Sequence, residues 1–532
     1  MSYDYVICGG GTTGCIVARR LAENRNVTVC LIEAGPSDEG NDDVANIRKW
    51  ASLLGTELDY KYSIEKQLYG NDDVANIRKW ASLLGTELDY KYSIEKQLYG
   101  SSDIIHNRAK VLGGCSSINV AIAFIPPAND LDQWEQLGAQ GWNSKATRKY
   151  YNKVFEKVNL QTVPLLNPLN QAFIDSCTAV NIPQIEMNSD TFINEFSDCC
   201  GYFQLNVSGL NRCSSSRSYL HPISSLPSNL TILTNTTAIK LIIDQETMIV
   251  TGVLTNTNEN IKVKKECILS SGAFDTPKLL LLSGIGPAHH LQQMNIPCIL
   301  NLKGVGSNLM DHPECVIIWE SNYPLPDPVI QRWETALFFK TQTYSTKPDL
   351  MFHFGIEAYD IENNLFGYPS EKHAFSIAFN VNKAKSRGHV QLRSNNYLDP
   401  PQIDCRYFTD EQNHDKAVMI AGLKLARKII EQTPLQKWTK CELSPGAQIQ
   451  TDQEIWDYCR KATTTLFHPA GTCKMGNVDN DNMVVVNSQL KVQGIKNLRI
   501  ADTSVFPTMI SVNPCITCMM IGEKCADMIK QD

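Results

Sequence analysis

The segment Tyr3-Asp-Tyr-Val-Ile-Cys-Gly-Gly-Gly-Thr-Thr-Gly14 decides the fold class of this chain. Its apolar run Val6–Cys8 is typical of a buried parallel strand. The glycines that follow have the spacing GxGxxG, residues 13–24 predict the next helix, and Val27–Glu33 predicts the next strand. Strand, glycine turn, helix and strand form a βαβ unit, so the sequence predicts an α/β protein with a Rossmann-like domain.

The glycine turn of this unit is predicted to bind a dinucleotide. Glycines permit a tight turn and the close approach of a pyrophosphate, which the helix N-terminus holds. Glu33 lies at the end of the second strand, 19 residues after Gly14, where an acidic side chain accepts hydrogen bonds from ribose hydroxyls. The alternative is a glycine turn without a ligand. The candidate residues are Gly9, Gly11, Thr13, Gly14 and Glu33.

A second glycine-rich segment, Arg108-Ala-Lys-Val-Leu-Gly-Gly-Cys-Ser-Ser-Ile-Asn119, indicates which dinucleotide is expected. We expect this turn also to open a helix. An enzyme that uses a diffusing nicotinamide has no need of a second clamp, whereas a permanently held flavin does, so the sequence predicts a flavin. Asp502, at the end of the strand predicted over 498–502, could hold the ribityl or phosphate side. The candidates added here are Arg108, Gly113, Gly114, Ser117, Asn119 and Asp502.

Two segments near the C-terminus, His468-Pro-Ala-Gly-Thr472 and Ser511-Val-Asn513-Pro514, carry groups suited to alcohol oxidation. An imidazole titrates near neutral pH, so His468 can take or share the hydroxyl proton. The Asn513 amide can fix the substrate oxygen by a hydrogen bond, and Asn513 can also contact the cofactor. Together with a flavin, these residues predict an enzyme that oxidises alcohols. The alternative for His468 is a structural histidine before a Pro-Ala-Gly turn.

The middle of the chain lacks dinucleotide signatures. The segments 350–356, 375–380 and 388–393 predict strands. A long amphipathic helix is predicted over 410–431, and we expect the region to form a separate antiparallel sheet that covers a site. Residues 266–269 predict another buried strand, and Pro277 is expected in the first turn of the helix that follows.

Composition narrows the classes of function. The chain has 532 residues with 49 basic and 56 acidic side chains, a net charge of −7, which argues against nucleic acid or an anionic membrane surface as partner. No apolar stretch is long enough to span a bilayer. The 18 cysteines show no zinc-site spacing, so no metal is predicted. The first strand begins near Tyr3, so we expect no export signal and a cytoplasmic protein with reduced thiols.

An exact duplication interrupts the N-terminal part, where residues Asn41–Gly70 recur unchanged as Asn71–Gly100. Repeats that build a solenoid diverge and occur in about three or more copies. Two identical copies therefore indicate a recent duplication or an assembly error. We expect one copy to occupy the fold and the other to be surplus, and Trp50 and Trp80 are equivalent candidates for one role.

At this point the motifs resemble those of the glucose–methanol–choline (GMC) oxidoreductases from end to end, the duplicate aside. The resemblance rests on the N-terminal glycine turn, Arg108–Asn119, Gly272–Pro287, His468–Thr472 and Asn513-Pro514. Within the family, the chain is most similar to the members that oxidise choline. That similarity is carried by the stretches Asp311–Glu314, Gln331–Glu334, Pro348–His353 and Ser386–Arg393.

The resemblance implies a Rossmann-like FAD-binding domain interrupted by an α+β substrate domain with an antiparallel sheet. The FAD-binding domain is expected over 1–160, 201–313 and 466–532, and the substrate domain over 161–200 and 314–465. Homodimer formation, which is common in the family, is implied by the resemblance alone.

The resemblance also implies roles for individual residues. His468 and Asn513 correspond to the catalytic histidine–asparagine pair, and His353 matches a histidine that binds the hydroxyl side of the substrate. Glu314 matches the carboxylate that faces the trimethylammonium group. The aromatic cage corresponds to Trp50 or Trp80, Trp333, Tyr359 and Phe467. The alternatives are a satisfied core histidine at position 353 and a surface or salt-bridged glutamate at 314, and which histidine takes the proton stays open.

Two positions depart from the family pattern. Ile118 stands where choline oxidases of the family have the histidine that links FAD covalently, so FAD is predicted to be noncovalent. Leu466, beside the expected oxygen-reaction site, is bulkier than the family's valine. Dioxygen or another electron acceptor therefore remain as alternatives, because a covalent link tends to raise the potential of the flavin.

The leading prediction is FAD-dependent oxidation of choline to betaine aldehyde, or onward to glycine betaine through the hydrated aldehyde. The first alternative is the same chemistry on a neutral aryl or aliphatic alcohol, which would not depend on Glu314. The second is a hydroxynitrile lyase that holds FAD without redox use. The third is an inactive protein, disrupted by the duplicated segment.

Overall fold

The computed structural model describes residues 1–49, 92–93, 104–164, 166–341, 346–359 and 366–532. Trp50, Trp80 and most of the duplicated segment lie outside these residues, so the part they play in the cage stays a prediction.

All 18 cysteines are free thiols. Over the described ranges, no helix has the length and apolarity needed to cross a membrane. The same ranges contain no group of three or more histidine, cysteine, aspartate or glutamate side chains arranged to hold a metal ion.

A seven-stranded sheet forms around the N-terminal strand. In spatial order its strands are Leu230–Leu233, Val29–Ile32, Ser2–Cys8, Asn260–Leu269, Ile249–Thr255 and Ala238–Asp244, and Leu498–Ile500 pairs with the end of Asn260–Leu269. Val6, Ile7 and Cys8 are fully buried between parallel neighbours, Cys30–Ile32 on one side and Cys267–Leu269 on the other. A continuous apolar run suits a strand covered on both faces, and the α/β prediction is confirmed.

A second seven-stranded sheet is antiparallel. In spatial order its strands are Thr439–Ser444, Pro313–Ser321, Ala374–Val381, Leu350–Gly355, Trp333–Phe339 and Cys199–Tyr202, and Thr464–Thr465 pairs with the start of Pro313–Ser321. Its strands come from segments separated by stretches of the first sheet, as expected for an interrupted domain. The numerical domain boundaries stay predictions.

Helices cover both sheets. The longer ones are Gly14–Leu21, Ala128–Gln136, Ser144–Phe155, Pro168–Ala179, Gly272–Leu282, His414–Ile430, Asp452–Ala462 and Cys515–Gln531. The shorter α-helices are Asp42–Ala45, Asp190–Glu195, Ser215–Tyr219, Ala288–Gln293 and Thr433–Gln436, and the 3-10 helices are Ile47–Lys49, Gly114–Ser117, Ile223–Ser225 and Thr503–Val505. Small sheets pair Tyr92–Ser93 with Ile105–His106, Gln161–Thr162 with Gln204–Leu205, Val207–Ser208 with Asn211–Arg212, Ile285–Gly286 with Leu300–Asn301, and Ser307–Leu309 and Gln402–Asp404 with Gly388–Gln391.

Pro277 lies in the second turn of the helix Gly272–Leu282, so its predicted place in the first turn is wrong. Proline cannot donate the hydrogen bond that would satisfy the Ala273 carbonyl, four residues earlier. The Thr472 hydroxyl donates to that carbonyl instead, over 2.6 Å. The helix tolerates Pro277 because the segment that follows His468 supplies the missing donor.

The helix predicted over 13–24 spans Gly14–Leu21, and two further predicted helices are also shorter than expected. The helix predicted over 410–431 begins at His414, because Asn413 has a left-handed φ of 52°. The Asp410 carboxylate accepts a hydrogen bond from the His414 N–H (2.6 Å) and so caps this start. The second glycine turn opens a single 3-10 turn, Gly114–Ser117.

Candidate active site

One cavity of about 610 Å³ joins the two sheets. On one side it is lined by residues at the carboxyl ends of parallel strands of the first sheet, including Glu33 and Ser270. Ligands of α/β sheets bind at this edge. On the other side, four neighbouring strands of the second sheet contribute one residue each, namely Glu314, Ala378, His353 and Trp333. The cofactor and substrate candidates therefore share one space.

The two glycine turns pack directly against each other beside this cavity. The Gly113 N–H donates to the Gly10 carbonyl over 2.7 Å. A Cβ atom on Gly114 would lie 2.7 Å from the Cα of Gly11, and one on Gly14 would lie 2.0 Å from the Gly9 carbonyl oxygen. No larger side chain fits at these positions, so the glycines are required for the close approach of the two turns.

The predicted cofactor residues divide into two groups. Those that line the cavity are Gly9, Gly11, Thr13, Glu33, Arg108, Gly114, Asn119, Asp502 and Asn513. Those that lie behind its wall are Gly14, Gly113 and Ser117, and the Ser117 hydroxyl donates to the Leu112 carbonyl over 2.9 Å. This second group shapes the turns and does not reach the cavity.

Glu33 is buried, and its two carboxylate oxygens accept hydrogen bonds from the N–H groups of Gly10 and Gly35, each over 2.8 Å. Burial raises the pKa of Glu33 to about 7, although these two donors oppose the shift. Hydroxyl donors would favour the ionised form further, as the hydroxyls of a ribose do. The glycine cradle and this carboxylate therefore fit a dinucleotide.

His468 and Asn513 meet in the cavity, although they lie 45 residues apart in the chain and in different loops. The Asn513 Nδ2 lies 3.4 Å from the His468 Nε2, and both side chains are buried. Burial lowers the pKa of His468 well below its usual value, and His312 contributes to the same shift. The imidazole is therefore neutral at neutral pH and available as a proton acceptor.

His353 lines the cavity beside Asn513. Within the described part of the chain, both of its ring nitrogens are buried without a hydrogen-bond partner, as is the Oδ1 of Asn513. Burial lowers the pKa of His353 to about 3. Buried polar atoms are nearly always paired, so these atoms indicate a place where a ligand supplies the partner. The alternative of a satisfied core histidine does not fit.

The backbone around His468 is held by Asp311, which sequence reasoning did not assign. The Asp311 carboxylate accepts hydrogen bonds from the His468 N–H (2.9 Å) and from the hydroxyls of Thr465 and Tyr407 (2.5 Å each). Burial would raise the pKa of Asp311, but its donors, His106 foremost, hold it well below its usual range. A buried carboxylate with these donors positions the histidine backbone.

The residue before His468 is in a strained conformation. Phe467 has a φ of 62°, which is uncommon for a bulky residue. The Arg108 Nη2 donates to the Phe467 carbonyl over 2.6 Å, and the Phe467 N–H donates to the Thr465 hydroxyl over 2.8 Å. These contacts stabilise a turn that aims His468 into the cavity.

Replacing Asp311 by asparagine is expected to lower the thermal midpoint and the retention of flavin. The asparagine amide nitrogen is itself a donor, so it would face the donors that now bind the Asp311 carboxylate. Each buried donor left unpaired lowers the stability by about 1–3 kcal/mol. Melting followed by flavin fluorescence measures the effect, with Asp452→Asn at an exposed side chain as the control. A melting curve unchanged from wild type would contradict this role of Asp311.

Two of the predicted cage residues pack against each other. The rings of Trp333 and Tyr359 are 5.5 Å apart and nearly perpendicular, at 88°. The Trp333 indole N–H donates to Glu357 over 2.7 Å. A Cβ atom on Gly355 would lie 2.6 Å from the indole, so this glycine makes room for Trp333. Phe467 lines the same cavity, and its ring packs edge-on against His106 at 5.7 Å.

Glu314 is 3% exposed at the start of the strand Pro313–Ser321. Among the described residues, its carboxylate makes no hydrogen bond or ion pair. Burial, and secondarily the charge of Asp311, raise the pKa of Glu314 well above its usual range. A surface or salt-bridged glutamate, the alternative considered above, therefore does not describe it within this part of the chain.

Known proteins resemble this chain over nearly its whole length. Family models described as GMC oxidoreductase match residues 3–314 and 384–522. The chain belongs to the GMC oxidoreductases. It is 40% identical to a choline oxidase of Arthrobacter globiformis, over 99% of this chain and 94% of that protein. It is 30% identical to an alcohol dehydrogenase [acceptor] of Pseudomonas putida, over 99% and 95% of the two chains.

A structural comparison supports the same GMC fold. The crystal structure of pyridoxine 4-oxidase from Mesorbium loti has a TM-score of 0.84, covers 100% of this chain and 99% of its own, and is 22% identical. The GMC assignment makes the protein an FAD-dependent alcohol oxidoreductase, and FAD is the dinucleotide that the glycine cradle fits. Ile118 and Leu466 both line the cavity of this GMC enzyme.

Several residues of the site were not assigned from the sequence. Asp311 and His312 belong to the stretch Asp311–Glu314 that carries the family resemblance, but the sequence assigns them no role. Gly355 and Ala378 have no signal of their own in the sequence. The adjacency of Asp311 and His312 to Glu314 was the one available signal for the first two, whereas the others depend on cross-strand pairing.

Proposed function

We propose that this GMC oxidoreductase oxidises choline to betaine aldehyde, and the hydrated aldehyde onward to glycine betaine. The observation that carries the proposal is the buried Glu314 carboxylate, which lacks a cationic partner among the described residues and faces the cavity of His468 and Asn513. A buried carboxylate is costly unless a cation pairs with it. A cationic substrate would supply that partner.

A quaternary ammonium group cannot donate hydrogen bonds, so it is recognised by aromatic faces and a carboxylate, at about 0.5–2 kcal/mol per aromatic contact. Trp333 and Tyr359 line the cavity together with Glu314. We assign Phe467, and Trp50 or Trp80 outside the described residues, to the same cage as expectations. The identity to the Arthrobacter choline oxidase supports this assignment.

At the hydroxyl end, His468 takes the proton of the alcohol, and Asn513 and His353 hold its oxygen. The donors available to that oxygen are the Asn513 Nδ2, which lies 3.4 Å from the His468 Nε2, and the N–H of a neutral His353, whose ring nitrogens have no partner among the described residues. FAD, which the glycine turns and Glu33 would hold, would supply the acceptor for the hydride of the carbinol carbon. The hydrated aldehyde presents an equivalent hydroxyl, so the same residues serve a second oxidation.

A neutral alcohol is the second candidate substrate, and the raised pKa of Glu314 favours it. A protonated Glu314 would be a neutral hydrogen-bond donor and acceptor, which suits a hydroxyl or an ether better than a cation. The Pseudomonas alcohol dehydrogenase is the relative that supports this alternative.

Anaerobic bleaching of the flavin by choline, compared with 3,3-dimethylbutan-1-ol, tests the proposal. The second compound has the same shape with a carbon atom in place of the nitrogen, so it isolates the contribution of the charge. Faster bleaching by choline at equal concentration is expected. Equal bleaching by both would favour the neutral-alcohol enzyme, and flavin that no alcohol bleaches would lead to a test of cyanohydrin cleavage.

We further propose that FAD is held noncovalently and that dioxygen is the electron acceptor. Ile118 has no nucleophilic atom with which to attach a flavin, which supports the first point. Acid precipitation should therefore release all the yellow colour into the supernatant. Colour retained in the pellet would refute noncovalent binding and direct attention to Cys115, a thiol that also lines the cavity. Return of colour with peroxide in air tests the acceptor.

A cytoplasmic location is also proposed, and the 18 free thiols support it. Homodimer formation and the domain boundaries stay predictions.

The affinity for choline is expected to rise with pH. At pH values below the raised pKa of Glu314, the empty site holds a proton on this carboxyl group, and a bound cation favours the carboxylate, so binding releases the proton. Affinity should increase until the pH exceeds the raised pKa and then become constant. Titration of the flavin spectrum at several pH values measures it. Binding of 3,3-dimethylbutan-1-ol should lack this dependence, and a choline affinity that falls with pH would contradict it.

A further inference from the structure

We infer that His312 is a positioning residue that fixes the tautomer of His468, so that the Nε2 of His468 is the atom that takes the hydroxyl proton. The inference rests on the proposed function only in that the substrate is an alcohol. It assigns a task to a buried histidine that does not itself line the cavity, and it decides which atom of His468 acts as base.

The far side of the His312 ring faces two backbone carbonyl oxygens. The His312 Nε2 lies 3.0 Å from the carbonyl oxygen of Asn382 and 3.1 Å from that of Ile510. Carbonyl oxygens accept hydrogen bonds and cannot donate them. The Nε2 of His312 must therefore carry the proton, because otherwise lone pairs would face each other at a fully buried site.

The rings of His312 and His468 meet through their Nδ1 atoms. Burial lowers the pKa of His312 to about 4, so the ring is neutral at neutral pH. With its proton on Nε2, a neutral His312 presents a lone pair at Nδ1. The His468 Nδ1 lies 2.9 Å from this atom. It must be the donor, so His468 carries its proton on Nδ1.

The Nε2 of His468 lies on the cavity side of the ring, next to Asn513. A neutral imidazole protonated at Nδ1 has a free lone pair at Nε2. The Asn513 Nδ2, which is a donor, lies 3.4 Å from this atom, as expected for an unprotonated nitrogen. The contacts of His312 with the two carbonyls and of His468 with Asn513 therefore both place the proton of His468 on Nδ1. If the proton were on Nε2 instead, that atom could not accept a hydrogen from the substrate.

Proton transfer is balanced in this arrangement. The O–H bond of the alcohol breaks, a bond forms between that hydrogen and the His468 Nε2, and the electron pair stays on the oxygen. The resulting imidazolium keeps its Nδ1–H donated to His312, which disperses the positive charge. The alkoxide carbon then carries the hydride, for which bound FAD would supply the acceptor.

Other charged groups near His468 do not supply this control. After burial and His312, Asp311 raises the pKa of His468 and Arg108 lowers it. Asp311 accepts from the backbone N–H of His468, not from its ring. Glu314 lies on the same cavity wall, on the strand that begins directly after His312. Of these groups, His312 is the one hydrogen-bonded to the ring through Nδ1.

Two substitutions separate tautomer control from simple packing. His312→Gln keeps a donor for the two carbonyls and an acceptor for His468, but it cannot ionise. His312→Phe keeps a ring of similar size but removes both functions. We expect anaerobic flavin reduction to fall about 100-fold or more in the Phe variant and less than about 10-fold in the Gln variant, the lower range of a general-base contribution. His289→Gln, at an exposed histidine, is the matched control.

The decisive readout is the nitrogen spectrum of the holoenzyme with 15N-labelled histidine, because the two tautomers differ in chemical shift. The chain has 10 histidines, and the His468→Gln variant identifies the signals of His468. We expect Nδ1–H on His468 in the wild type and in the His312→Gln variant, and loss of that preference in the His312→Phe variant. An Nε2–H form in wild type, a Phe variant that keeps the wild-type signal and rate, or a Gln variant as impaired as the Phe variant would each overturn the inference.

This design keeps the two proposals apart. If choline fails to bleach the wild-type flavin, the proposed substrate is wrong, while the spectrum still decides the tautomer of His468. If choline bleaches the flavin and His468 carries Nε2–H, the function stands and the role of His312 is refuted.

Discussion

The His468→Gln variant is expected to reduce its flavin with choline about 10²–10⁴-fold more slowly than wild type, the usual contribution of a general base. Glutamine can hydrogen-bond the substrate hydroxyl but cannot hold its proton at neutral pH. Stopped-flow bleaching under anaerobic conditions measures the rate directly. Because burial holds the pKa of His468 well below its usual value, the wild-type rate should stay high below pH 6.5 and fall only as His468 becomes protonated.

The control for this variant is His289→Gln, which makes the same change at an exposed histidine. It should bleach at the wild-type rate. Flavin content must be equal in all three proteins, so that loss of cofactor is not counted as loss of chemistry. A His468→Gln enzyme within a few-fold of wild type would mean that another group, His353 foremost, takes the proton.

Glu314→Gln is expected to have the second large effect, a fall in kcat/KM for choline of about 30-fold or more, since removing one partner of a buried charge pair costs about 2–5 kcal/mol. The side chain keeps its size, so packing along the strand Pro313–Ser321 is preserved. The rate with 3,3-dimethylbutan-1-ol should be nearly unchanged. The ratio of the two rates therefore isolates the contribution of the charge.

The matched control is Glu320→Gln, near the other end of the same strand, where the carboxylate pairs with Lys440 at the surface. It should leave both rates at wild type. If Glu314→Gln slowed both substrates equally, Glu314 would be a structural residue. If it slowed neither, the charge of Glu314 would not contribute to the oxidation of choline, and the proposed role of Glu314 would be refuted.

Local sequence patterns predicted much of the fold. The N-terminal βαβ unit, the second glycine turn and the antiparallel middle region depend on residues within a few positions of each other, so spacing alone revealed them. One error in local structure arose from a distant partner, whereas the late start of the helix His414–Ile430 depends on the neighbouring Asn413 and Asp410. Pro277 is tolerated inside its helix because Thr472, far along the chain, donates to the carbonyl that proline leaves free.

The fold class, the flavin cradle and the candidates His468 and Asn513 follow from the amino-acid sequence, because glycine turns and short motifs carry their chemistry locally, and Glu314 follows from the family resemblance. Three-dimensional packing was needed to show that Glu314 lacks a cationic partner within the described residues and that His312 contacts His468 across 156 residues of chain. Burial, pairing and proton position are properties of neighbours in space, which strand register and loop packing bring together.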